Sequence, residues 1–253
     1  MAPFHNSRLV EVLAIDIGAT SIKFCHVDDH GTLLEVPRRR PTPYPCTPDR
    51  LVSFLTERIE TSKCARVGVG FPGKFADGHV IRPGNLSRRG GITTEVDPVI
   101  DHLWRHFALQ DALCQSTGRD VRVVNDATLA ALGCCDGHGI EVVLTLGTGL
   151  GLAVEHDGVL QKARDVGAAT FIRGRTYDQL LGERARSEDP AEWPVLLEQA
   201  INGFAKEFDA AVVRLAGGNA RRVAPDSFTT LICPVVIHGN EAPLRGAAKL
   251  FYS

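Results

Sequence analysis

Apolar positions in this chain come in short runs punctuated by glycine, proline and polar pairs. Residues 9–17 form one run, which contains Asp16, and residues 22–27 form another; Gly18-Ala19-Thr20-Ser21 lies between them. That arrangement predicts two strands joined by a tight turn, with a third strand at 32–36 beyond the polar turn at 29–31. Residues 37–48, rich in proline and arginine, predict an extended surface segment. Leu51, Phe54, Leu55 and Ile59 recur at helical spacing, so a helix is expected over 50–63, capped by Thr47 or Asp49. A strand at 66–71, a short hairpin at 75–81 and a helix-rich stretch at 98–117, ended by Gly118, follow.

The chain is organised around residues 121–133, VRVVNDATLAALG, which read as a buried strand passing directly into a helix. Asn125 and Asp126 stand at the junction. A second strand, glycine turn and strand cover 141–154, with Gly147-Thr148-Gly149 at the turn. Two turns of the same build, about 130 residues apart, predict two related halves gripping a phosphate chain between them. Helical stretches are expected over 175–186 and 194–215, with a strand near 211–215 running into Ala216-Gly217-Gly218-Asn219. A strand at 235–237 and a closing helix over 241–251 complete the pattern.

Composition narrows the class. The 253 residues are 44% hydrophobic and 23% charged, with a formal net charge of −2, so neither nucleic acid nor a membrane is expected as main partner. Seven cysteines without a C-x-x-C pair argue against a disulfide framework or a cysteine-rich zinc site. With no apolar run of membrane length and no signal-peptide core, they point to a reducing cytoplasm.

Candidate chemistry gathers at the turns. Gly18 lets backbone approach a phosphate closely, Thr20 and Ser21 offer hydroxyls, and Lys23 adds positive charge. Asp16 at a strand end suits Mg²⁺, held through water. Asp126, on the first helical turn, meets unpaired N–H groups and the positive end of the dipole, which favour its ionised form. The plainer reading is that Asn125 or Asp126 only caps the helix. Asn85, in Pro83-Gly84-Asn85-Leu86-Ser87, can donate and accept hydrogen bonds as a hydroxyl ligand requires, or serve as a turn residue. Arg38-Arg39-Arg40 reads first as a solvated patch.

The segments DIGATSIK (16–23), VVNDATLAALG (123–133), LTLGTGLGLAV (144–154), LAGGNA (215–220) and APLRGAAKLF (242–251) stand in one order. Together they resemble the phosphate, connecting-helix and adenosine motifs of the sugar kinase, Hsc70 and actin superfamily. Within it the chain resembles the ROK family of sugar kinases, most closely its polyphosphate/ATP glucokinase branch. The resemblance implies an α/β, two-domain actin-like ATPase (ribonuclease H-like) fold with an interdomain cleft. The N-terminal domain would span 1–124, with the closing helix 241–253 packing back on it, and the C-terminal domain 125–240. It implies Asp126 as general base, and Asn85, Asn125, Asp165 and Gly73 with Asp126 at the acceptor. Asp16, Gly18, Thr20 and Lys23 would form the first phosphate loop, Gly147, Thr148 and Gly149 the second, and Gly217 and Gly218 would face the nucleoside. Mg²⁺, ATP or polyphosphate as donor, a sugar-like acceptor and a homodimer complete the expectation.

One segment departs from the family pattern. The Glu-x-Gly-His signature after the second turn is replaced by Asp165-Val166-Gly167-Ala168, and the zinc motif that follows in many relatives is missing, so no structural zinc is expected. A site built to bond a particular hydroxyl discriminates by roughly 10⁴–10⁵, so losing the His should change which polyol fits. The acceptor is therefore expected to be a modified sugar or a cyclitol rather than glucose, unless His79, His156 or His238 takes over. Two alternatives are ordinary glucokinase activity and an inactive sugar sensor. Family repressors carry a helix-turn-helix before the first phosphate motif; about a dozen residues precede it here, so DNA binding is not expected. Polyphosphate use would need a basic track, for which Arg88, Arg89, Lys162, Arg164, Arg173 and Arg175 are candidates.

Overall fold

In the computed structural model, which describes residues 11–161, 164 and 166–252, the first half runs β1 (Val12–Ile17), β2 (Ser21–Val27), β3 (Arg38–Pro41), α1 (Pro48–Thr61), β4 (Arg66–Phe71), β5 (Lys74–Ala76) and β6 (His79–Arg82). It continues through α2 (Pro98–Trp104), α3 (Leu109–Thr117), β7 (Asp120–Asn125) and α4 (Asp126–Cys134). The second half follows with β8 (Ile140–Leu146), β9 (Leu150–His156), β10 (Val159–Leu160), β11 (Thr170–Ile172), β12 (Arg175–Thr176), α5 (Tyr177–Leu181) and α6 (Glu183–Glu188). Then come α7 (Glu192–Phe208), β13 (Val212–Ala216), β14 (Val235–Ile237) and α8 (Ala242–Lys249).

Alternation along the strands decides the layers. In the first sheet, ordered β3-β2-β1-β4-β7, Leu13, Ile15, Ile22, Val67, Val69, Val121 and Val123 face a core shared with α1, α2 and α3. The opposite face carries Val12, Ala14, Cys25 and Val27, packed on Leu129 of α4 and on Leu244, Ala247 and Ala248 of α8. The second sheet, ordered β10-β9-β8-β13-β14, repeats the scheme: Val142, Leu144, Leu152, Val213 and Leu215 pack on α5 and α7. Its other face presents Val143 and Ala153 to Ala127, Ala130, Ala131 and Cys134 of α4 and to Ala242 of α8. The pair α4 and α8 thus lies between two sheets, and only small residues permit that. A Cβ added at Gly133 would lie 1.9 Å from the Ala242 carbonyl oxygen, and one at Gly246 2.0 Å from that of Leu129.

The structure corrects the third strand. Residues 32–36 contribute only a bridge between Leu33 and Val27, because Asp28 turns the chain by accepting from the N–H groups of His30 and Thr32. The strand forms later, in the proline- and arginine-rich segment, where Arg38–Pro41 pairs antiparallel with β2. Exposed arginines on this edge discourage pairing with another chain. Thr47 caps α1, which starts at Pro48. The expected helix at 175–186 divides at Gly182, whose Cβ would sit 2.3 Å from the Thr148 carbonyl oxygen. The helix expected through 215 stops at Phe208, leaving 212–216 as a strand. Among the described residues, no helix is long and apolar enough to cross a membrane.

Candidate active site

Strand register builds the centre of the site. Asp16 pairs with Lys23 on β2 and with Gly70 on β4, and Phe71 pairs with Asn125 at the end of β7. By alternation Asp16 shares the face of Val12 and Ala14, towards α4. There Lys23 Nζ donates to Asp16 Oδ2 at 2.6 Å and to the Asn240 carbonyl at 3.2 Å. Among the described residues, Asp16 Oδ1 has no protein partner.

The capping role at the junction falls to Asn125. Its Oδ1 accepts from the N–H groups of Ala127 (2.9 Å) and Thr128 (3.4 Å), and its Nδ2 donates to the Gly73 carbonyl at 2.6 Å. Asp126 is left as the first residue of α4, with Oδ1 accepting from Ala127 N–H at 2.8 Å. Its surroundings are tight. A Cβ at Gly70 would lie 3.5 Å from Asp126 Cα and 2.9 Å from Leu129 Cδ2, and one at Gly151 3.2 Å from Ala127 Cβ. Gly70 therefore lets α4 approach the first sheet, and Gly151 brings the second glycine hairpin to the same helix end. Burial, reinforced by the Asp16 carboxylate, pushes the Asp126 carboxyl up from its ordinary 3.8 to about 7, against the opposing pull of the Ala127 N–H and Lys23. An acid poised near neutrality is what a general base needs.

Buttresses fix the first turn. Gly18 N–H donates to Ser21 O at 3.1 Å, Thr42 Oγ1 to Gly18 O at 2.7 Å, and the Tyr44 hydroxyl to Ala19 O at 2.8 Å. That hydroxyl also lies 3.2 Å from the Asn85 carbonyl oxygen, so one side chain joins the turn to the Asn85 segment. Thr20 is exposed at the tip. Asn85 sits in a 3₁₀ turn (Gly84–Ser87), where Arg88 Nε donates to its Oδ1 at 2.8 Å. Gly73 and Gly84 bring this turn against Asn125: added Cβ atoms would lie 2.3 Å from the Arg82 and 2.6 Å from the Pro72 carbonyl oxygens.

At the second turn, Gly147 N–H donates to Gly149 O at 3.1 Å and Thr148 is exposed. Gly217, at φ +93°, leads into Asn219, whose N–H donates to Leu146 O (3.0 Å) and whose Nδ2 donates to Gly147 O (3.1 Å). The Gly217-Gly218 loop is thereby fastened to the turn, and a Cβ at Gly218 would meet nothing within 4 Å among the described residues. Asp178 holds the other side, its Oδ1 accepting from Leu150 N–H at 2.8 Å. Added Cβ atoms at Gly149 and Gly167 would lie 2.2 and 2.4 Å from that carboxylate oxygen. Asp165 lies outside the described residues.

Sequence reasoning missed Tyr44, Gly70 and Asp178. Asp178 carried a readable signal, because Thr176 and Gln179 form a capping box at the start of α5. Tyr44 and Gly70 carried none, since their roles exist only across strands. Of the histidines weighed as substitutes, His79 meets the Asp77 carbonyl at the tip of the β5–β6 hairpin and His156 pairs with Ile140, at the far end of β9 from the glycine turn. His238 Nε2 lies 3.3 Å from Arg214 Nη1.

Comparison with known proteins places this arrangement. The family model for the ROK family matches residues 12–170. The chain belongs to the ROK family. A glucokinase of Thermotoga maritima is 29% identical over 231 residues, covering 87% of this chain and 69% of that protein. A polyphosphate glucokinase of Mycobacterium tuberculosis is 28% identical over 249 residues, covering 92% of this chain and 88% of its own. The crystal structure of an inorganic polyphosphate/ATP-glucomannokinase from Arthrobacter sp. strain KM matches with a TM-score of 0.79 and 30% identity, over 95% of this chain and 98% of that one. The actin-like fold expected from the motifs is the fold of this ROK chain. The expected enzyme class, phosphotransfer to an alcohol, is that of these relatives.

Proposed function

We propose that this ROK protein transfers the terminal phosphate of ATP or polyphosphate to a hydroxyl of a sugar or sugar-like cyclitol, with Asp126 as general base. The observation that carries the reading is Asp126 itself: a carboxyl held near neutrality at the helix end where both glycine hairpins converge. In the deprotonated form it takes the acceptor proton as the oxygen attacks the terminal phosphorus. With the Gly18 and Gly147 N–H groups closing the two turns, the N–H groups of Ala19, Thr20, Thr148 and Gly149 are the ones offered to the anion, and the open face at Gly218 leaves room for a nucleoside. Phosphoryl transfer depends mainly on such positioning and charge neutralisation.

Mg²⁺, held through water, fits the hard carboxylate oxygen of Asp16 Oδ1, which has no protein partner among the described residues. When bound, it would neutralise charge on the transferring phosphate. At the acceptor, Asn125 is committed to capping and to Gly73, so its side chain shapes the floor. Asn85, its Oδ1 taken by Arg88, offers its Nδ2 to a hydroxyl. The Asp165-Val166-Gly167-Ala168 segment, without the family's His, supports an acceptor other than glucose. We assign residues 1–124 and 125–240 to two domains that close over the acceptor, with 241–253 returning to the first, and the chain to a homodimer.

The test is nucleotide consumption by the purified chain against a panel of hexoses, amino sugars and cyclitols. A cyclitol or modified sugar should give the highest kcat/KM. Glucose as best acceptor would restore the glucokinase reading, and acceptor binding without turnover by any donor would make the protein a sensor.

A further inference from the structure

The arginines weighed for a basic track are each engaged. Arg88 donates to Asn85, Arg89 pairs with Asp97, Arg164 with Glu207 and Arg173 with Glu192, while Arg175 donates to the Gln179 carbonyl. Lys162 lies outside the described residues. The charge that is not balanced lies inside the second half.

That surplus is negative and buried. Glu141 on β8 stands directly opposite Glu155 on β9, and the two are 0% and 4% exposed. Cys135, 4% exposed, closes the end of α4 beside them. Its sulfur and a carboxylate oxygen from each glutamate lie within 4.8 Å of one another. Like charges directly across a strand pair repel, and burial removes the water that would screen them. The Arg214 guanidinium answers one of them: it donates to Glu141 Oε2 and, at 2.6 Å, to the exposed Asp136. Among the described residues no cation pairs with Glu155, whose Oε1 accepts from Gly158 N–H at 3.1 Å. Lys249 Nζ donates to the Cys135 carbonyl at 3.1 Å. The C-terminal end of the α4 dipole, where Cys135 stands, adds partial negative charge.

We propose that Cys135, Glu141 and Glu155 form a buried site for a thiophilic divalent cation, Zn²⁺ by its chemistry, that staples the end of α4 to β8 and β9. The donor set fits: the sulfur selects against Mg²⁺ and Ca²⁺, and three protein ligands leave a fourth tetrahedral position for water. Ligand bonds of about 2.0–2.3 Å need donor atoms roughly 3.4–3.8 Å apart, which small side-chain rotations reach from the observed spacing. Glu141 is already aimed. Its Oε1 accepts from the N–H groups of Asp136, Gly137 and His138 at 2.9, 2.7 and 3.2 Å. Among the described residues its Oε2 accepts from Arg214 alone, which leaves a lone pair for an ion. Two carboxylates against one guanidinium give the buried set one negative charge in surplus. Zn²⁺ brings two positive charges and displaces the thiol proton to solvent, so the set becomes neutral. Without the ion, burial and then the Glu155 and Glu141 carboxylates push the Cys135 thiol up, and the proton stays on sulfur. These residues lie apart from 165–168, the segment after which the family's zinc motif is missing, and nothing in the site depends on the kinase reading.

The experiment uses the full chain, purified without chelator or a metal-affinity column, together with Cys135→Ser and Glu155→Gln. Metal content is measured by mass spectrometry, and the metal-stripped chain is titrated with Zn²⁺ and with Co²⁺, without donor or acceptor. The wild type should hold one zinc per chain, release one proton for each zinc bound, and melt higher as zinc is added. Co²⁺ should give a near-ultraviolet thiolate-to-cobalt band that Cys135→Ser lacks, and Glu155→Gln should bind zinc at least tenfold more weakly. Melting curves of the stripped proteins control for folding; where a variant does not fold, the wild-type metal content and cobalt band decide. A wild type that takes up neither metal, a cobalt band that survives in Cys135→Ser, or unchanged zinc affinity in Glu155→Gln overturns the site. The cluster would then be balanced by a proton held between Glu155 and the thiol.

Discussion

Replacing Asp126 with Asn tests the centre of the site through two independent readouts. Asn keeps the shape and the oxygen that accepts from Ala127 N–H but removes the charge. In the wild type the folded carboxyl titrates at about 7 rather than 3.8, because burial and Asp16 oppose its ionisation. The native state therefore holds this proton more tightly than the unfolded chain, and the wild type loses stability as pH rises from about 4 through 7. At 1.36 kcal/mol per unit, a shift of about three units is worth up to about 4 kcal/mol, less whatever water at the cleft screens. Asp126→Asn should melt like the wild type at pH 4 and higher than it at pH 8. Turnover should fall by roughly 10²–10⁴, and the wild-type kcat should rise with pH through about 7. Matched denaturation curves and coupled assays across pH 4–9 decide it. A stability difference that does not change with pH, or a variant keeping a tenth of its turnover, would refute the assignment.

Other expectations follow from the same geometry. Arg88→Ala frees the Asn85 amide to rotate and should raise the acceptor KM about tenfold with little change in kcat; Arg88→Lys, lacking the Nε–H, should not restore it, as steady-state kinetics will show. Gly133→Ala would wedge α4 from α8 and should cost about 3 kcal/mol by chemical denaturation. Arg214→Met removes the Oε2 partner of Glu141, buried at 0% exposure, while the Oε1 bonds from the Asp136, Gly137 and His138 N–H groups remain, and should cost about 3 kcal/mol. Pairing it with Glu141→Gln should recover part of that loss in a double-mutant cycle.

Much of the scaffold was legible because it is written locally. Short apolar runs with clear boundaries made the strands Arg66–Phe71 and Val235–Ile237 readable to the residue. The two glycine turns and the Asn125-Asp126 junction announced themselves through residue types that turns and helix starts require. The third strand was misplaced because its arginines oppose the usual strand composition; pairing with β2 and an exposed edge made them acceptable.

What the sequence determined by itself was the order of phosphate turns, the strand-to-helix carboxylate and, through them, the family. Those depend on local backbone geometry and on chemistry carried by single residues. Tertiary structure decided that Asn125 caps the helix while Asn85 is held by Arg88, why Gly70 and Gly151 are small, and that Tyr44 and Asp178 brace the turns. It also set the Asp126 carboxyl near neutrality. These follow from approaches between segments far apart in the chain, where the distance between two groups, and the water excluded from around them, fixes the energy.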